Sequence, residues 1–121
     1  MKSKLRFIIG KNISLVCDKQ HEDYSSQKLA DMSGTNQTTM NRLMRADPED
    51  PVPRVDSVDF AIQALKLEPW AVMVPGADLS LMRNKRLTKL IESLIDCSDE
   101  TRERIISNAL DTIMLEKIKK E

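Results

Sequence analysis

Between residues 35 and 46 the chain reads TNQTTMNRLMRA, a stretch whose only charges are positive. At helical spacing Gln37, Thr38, Asn41 and Arg45 share one face with Arg42 beside them, while Met40 and Leu43 fall on the other. The chemistry open to such a face is recognition rather than bond breaking. Gln and Asn amides can pair bidentately with an adenine edge, Arg can do so with guanine, and a Thr methyl can pack on a thymine methyl. A helix with a polar, acid-free outer face suits insertion between the two phosphate walls of a major groove. A merely solvated helix face would account for these residue types, but not for the missing acids or for the turn that precedes them.

That turn implies the elements that must hold the face in place. Ser25 is expected to cap a short helix ending near Ser33, Gly34 to supply a left-handed turn residue, and Asn36 to cap a second helix running through Arg45. Two helices joined so tightly need a small side chain where their backbones approach, and Ala30 supplies it. Leu29, Met40 and Leu43 then point inward and set the crossing. Before this pair, Leu5, Ile8, Ile9, Ile13 and Val16 predict a first helix over 4–19. A polar connection over 20–24 follows, with His21 solvated.

After the pair, ADPEDPVPR at 46–54 is an acidic loop that three prolines keep from being helical. Phosphates would repel it, so it is expected to point away from DNA or towards another protein. Val55, Val58, Ile62 and Leu65 predict a fourth helix with one buried stripe, and Pro69 opens a short fifth one. Trp70 is expected as a core plug. Val74, Pro75 and Gly76 mark the end of this unit. Leu87, Leu90, Ile91 and Leu94 then predict a sixth helix. Ser98, Asp99 and Glu100 start a seventh, which carries Ile106, Ala109, Leu110 and Ile113. No segment reads as strand.

The 121 residues leave room for one ordinary domain or a small module with an appendage. Hydrophobic residues at 40% and charged residues at 31% give a globular balance. Net charge is zero but uneven: residues 1–45 carry eight basic and four acidic side chains, 46–80 two and seven, and 81–121 nine and eight. Cations at the front of a neutral whole suit one face meeting a polyanion, because screening confines the attraction to short range. Cys17, Cys97 and the single His21 have no metal-ligand spacing, so the cysteines are expected as core or boundary residues, with no metal and no cofactor. The opening MKSKLRFIIGKNISLVC has the charge of a signal peptide, but its apolar run is interrupted at residues 10–12, which predicts a cytoplasmic, nucleoid-associated protein without membrane contact. An enzyme is not expected: Asp47, Glu49 and Asp50 sit among prolines, where acid-base geometry is poorly held, and no other catalytic constellation stands out.

The segment SSQKLADMSGTNQTTMNRLMR resembles the signature of the phage-repressor-like (Xre-type) helix-turn-helix regulators, and LKLEPWAVMVP resembles that family's following helix end and Pro-Trp segment. The resemblance covers about residues 4–76 and implies an all-α chain. Its fold would be a five-helix lambda-repressor-like DNA-binding domain over 1–76, followed by a two-helix C-terminal segment over 77–121. It places Gln37, Thr38 and Asn41 at base-reading positions, and Ser26, Asn36, Arg42 and Arg45 at positions that contact the DNA backbone or flanking bases. Thr35 departs from the family, which usually has an aliphatic residue there, and the loop over 47–53 is longer and more acidic than usual. The implied function is a transcriptional regulator, a phage or prophage repressor, bound to double-stranded DNA. The C-terminal helices either pair between chains, giving a homodimer or higher oligomer through 78–121, or pack on the first unit. An alternative is an antitoxin or other interaction factor with autoregulatory DNA binding, its partner a toxin or anti-repressor.

Overall fold

The computed structural model describes residues 4–19, 24–47, 49–50 and 53–120. Among them the chain is all-helical, without a strand: α1 (Lys4–Lys19), α2 (Ser26–Ser33), α3 (Gln37–Arg45), α4 (Val55–Ala64), α5 (Pro69–Val72), α6 (Leu79–Met82), α7 (Lys85–Ile95) and α8 (Asp99–Lys120). Residues 20–23 of the connection expected over 20–24, including His21, lie outside the described residues, as do Pro48 and Pro51 of the acidic loop. Two compact units are present, Met1–Lys85 and Arg86–Glu121.

Short-range chemistry sets the ends of α2 and α3. The Ser25 hydroxyl accepts the Lys28 N–H at 3.1 Å, and the Asn36 carboxamide oxygen accepts that of Thr39 at 2.8 Å. Each bond satisfies a first-turn donor that the helix itself leaves unpaired, worth about 1 kcal/mol. Gly34 closes α2 at φ 71°, which lets the Thr35 N–H reach back to the Ala30 carbonyl at 3.0 Å. A Cβ on Gly34 would meet nothing within 4 Å. Gly34→Ala is therefore expected to cost only the left-handed backbone penalty, about 1 kcal/mol.

In the first unit α2 packs on α3 and α4, α1 on α3 and α5, and α6 on α5. The shared core includes Ile13, Val16, Cys17, Leu29, Met40, Leu43, Leu65 and Val72. The buried face of α1 is turned from the expected stripe: Leu5 is exposed, whereas Arg6, Gly10 and Asn12 are buried beside Ile9 and Ile13. Gly10 reads in the sequence as a break in an apolar run, but it is a contact position. A Cβ there would collide with the Leu43 carbonyl oxygen and lie 2.8 Å from the Ala46 Cβ, so glycine lets α1 close onto the end of α3. Gly10→Ala is expected to cost about 2 kcal/mol through overpacking, more than Gly34→Ala. Urea unfolding of the two variants side by side measures the difference, and equal losses would contradict this packing.

Asn12 ties α1 to α5, its side-chain amide donating to the Val72 and Val74 carbonyls at 2.7 and 2.9 Å. In α4, Ile62 is buried, with Leu65 just beyond the helix end, but Val55 is exposed, contrary to the expected stripe, because residues 54–56 all lie outside the packed region. Trp70 is partly buried against the core. Cys17 is buried and Cys97 lies at an intermediate depth, neither of them in a disulfide.

The first unit does not close at Gly76. Asp78 caps the one-turn α6 by accepting the Leu81 N–H at 2.8 Å, and Met82 is fully buried. The Met82 carbonyl accepts the Glu68 N–H at 2.6 Å, and the Arg83 guanidinium donates to the Leu65 carbonyl at 2.8 and 3.2 Å.

The second unit consists of α7 and α8, neither of which contains a buried residue. The Ser98 hydroxyl accepts the Thr101 N–H at 3.2 Å at the start of α8, as its sequence predicts. Among the described residues no helix is long and apolar enough to cross a membrane.

Candidate nucleic-acid interface

The outer face of α3 is polar and exposed. Met40 and Leu43 are fully buried and fix the roll of the helix. With those two turned inward, Gln37, Thr38, Asn41, Arg42 and Arg45 are all exposed, and together they border one shallow depression. The structure thus brings the three expected base readers to a single face. Of the expected flanking residues, Arg42 and Arg45 lie on its border, while Asn36 sits exposed at the N-terminal end. Ser26 is half-buried at the start of α2, its hydroxyl 3.5 Å from the Gln37 amide nitrogen.

Asn36 has a structural duty besides any contact, since its Oδ1 is committed to the cap of α3. The last turn of α3 carries Arg42 and Arg45, cations that complement the partial negative charge of a helix C-terminus. Helix α3 then ends at Ala46, which is buried and left-handed at φ 55°.

Two residues outside the expected set organise this end of the face. Arg6, on α1, is buried; its guanidinium donates to the Asp47 carbonyl at 2.6 Å and to the Arg42 carbonyl at 3.2 Å. It thereby caps the end of α3 from a helix far away in sequence. Asp50 accepts from the Nε and Nη2 of Arg45 at 2.9 and 2.7 Å and lies 3.8 Å from Arg6. The expectation that the acidic loop points away from this face therefore does not hold for Asp50, whose carboxylate is drawn in by two guanidinium groups. The sequence does carry a signal for Arg6: residues 6, 9, 13, 16 and 17 share one face of α1, so an arginine stands among core positions. For the Arg45–Asp50 pair no local signal exists, because the loop path decides it.

Among the described residues no group of three or more His, Cys, Asp or Glu side chains is placed to hold a metal ion. No protein-family model, curated protein or solved structure was found to match the chain.

Proposed function

We propose that this chain is a sequence-specific DNA-binding transcriptional regulator of the phage-repressor-like (Xre) kind, a phage or prophage repressor rather than an enzyme. In this reading α2 and α3 form the helix-turn-helix, and α3 enters the major groove with Gln37, Thr38 and Asn41 against base edges. Ser26, Asn36 and Arg42 hold the DNA backbone or flanking bases, as does Arg45. The observation that carries the reading is the outer face of α3, with five polar or cationic exposed side chains, no acid among them, and the helix anchored by buried Met40 and Leu43.

Selection of bound sites from a random DNA pool tests it, with an enriched motif as the expected result. On the selected site Gln37→Ala and Asn41→Ala should each weaken base discrimination by about 1–3 kcal/mol at one position. Quantitative footprinting measures the change; full discrimination by both variants would remove α3 as the reader.

The same reading pairs two copies through the second unit, so that two recognition helices meet two half-sites. Its support is the exposure of Leu90, Ile95, Leu110, Ile113, Met114 and Ile118 in a unit of fewer than ~40 residues, a size that usually needs association to remain ordered. Those side chains equally suit a second reading, an antitoxin or interaction factor whose partner is another protein. Analytical ultracentrifugation separates the two: a homodimer supports the first, and a monomer that captures a toxin or anti-repressor in equal stoichiometry supports the second.

A further inference from the structure

We infer that Asp50 is a positioning residue that turns Arg45 from a general phosphate contact into a reader of guanine at the C-terminal end of α3. The inference rests on the reading of α3 as the DNA-contacting helix and deepens it. An unrestrained arginine at a helix end samples many rotamers and can meet a phosphate from several of them, because the phosphates flanking a groove offer oxygens in several directions, whereas a guanine edge offers O6 and N7 in one plane only. Arg45 is not left that freedom: its Nε and Nη2 both donate to one oxygen of Asp50, at 2.9 and 2.7 Å. Asp50 is held in turn from behind, its side chain only 17% exposed, with the buried Arg6 guanidinium 3.8 Å from the same oxygen.

The two bonds engage one edge of the Arg45 guanidinium and leave its Nη1 hydrogens and one Nη2 hydrogen outside the pair. Those remaining donors form a planar fork, the geometry that matches guanine O6 and N7. Arg45 is still 50% exposed and borders the same depression as Gln37, Thr38 and Asn41, so the fork stays on the reading face. A carboxylate beside a phosphate contact would weaken it. Beside a base reader, however, it fixes the plane of the fork.

The test is site selection with the full-length chain, followed by competition binding against sites altered one base at a time. Arg45→Lys should abolish a guanine preference at one terminal position of the half-site. Asp50→Asn should reduce that same preference about tenfold while leaving the preferences sensitive to Gln37→Ala and Asn41→Ala in place. The combined variant should do no more than Arg45→Lys alone. If Asp50→Asn tightens binding to all sequences alike with the guanine preference intact, Asp50 is a bystanding charge and the inference is overturned. Should Asp50→Asn fail to fold by circular dichroism, Arg45→Lys decides, because it keeps the charge but not the fork; an unchanged guanine preference overturns the inference. Failure of the parent reading looks different: Gln37→Ala and Asn41→Ala would then leave every base preference unaltered.

Discussion

Arg6→Met is expected to destabilise the first unit by about 3–5 kcal/mol, one of the two largest effects anticipated for this chain. Methionine has comparable length and apolar bulk, so the loss is not one of volume. The Asp47 and Arg42 carbonyls lose the donors that reach them at 2.6 and 3.2 Å, and water cannot readily replace a group whose own side chain is 2% exposed. Asp50 also loses one of its two cationic neighbours. Urea unfolding followed by circular dichroism measures the change. A useful contrast is Arg102→Met, which removes an ion pair to a highly exposed Asp99 on α8 and is expected to leave stability unchanged. Equal behaviour of the two variants would mean that the Arg6 network contributes nothing.

The second large effect concerns where the first unit ends. A chain stopped after residue 85 is expected to melt as cooperatively as the whole protein, because the buried core lies within the first unit. A chain stopped after residue 77 loses Met82, the Glu68–Met82 backbone bond and the Arg83 bonds to Leu65, and is expected to lose at least the ~2–5 kcal/mol typical of emptying a buried Met site. Thermal melting of both truncations measures this. In operator binding the 1–85 chain should be about 100-fold weaker than the full chain, since it retains α3 and lacks the second unit proposed to pair the copies. Undiminished affinity would leave α7 and α8 no role in DNA binding.

What the local chemistry of single turns controls is legible in the residues alone. Caps, a left-handed glycine and a first-turn proline act over three or four residues, so Ser25, Gly34, Asn36 and Pro69 stand at the helix ends their types imply. The apolar spacing of Leu29, Met40 and Leu43 likewise determines which face of α3 turns inward, and so which side chains face out. One-turn α6 is not legible in this way because four residues give no period, even though Asp78 is an ordinary cap.

The residue sequence by itself thus determined an all-helical chain and the polar composition of the outer face of α3. Only the tertiary structure decided that Gly10 is a contact point, that Val55 stays outside, and that Arg6, Arg45 and Asp50 meet. Gly10 meets the end of α3, and the carbonyls that Arg6 caps belong to residues 36 and 41 positions away; such partners are chosen by how whole helices pack, which no short-range preference encodes.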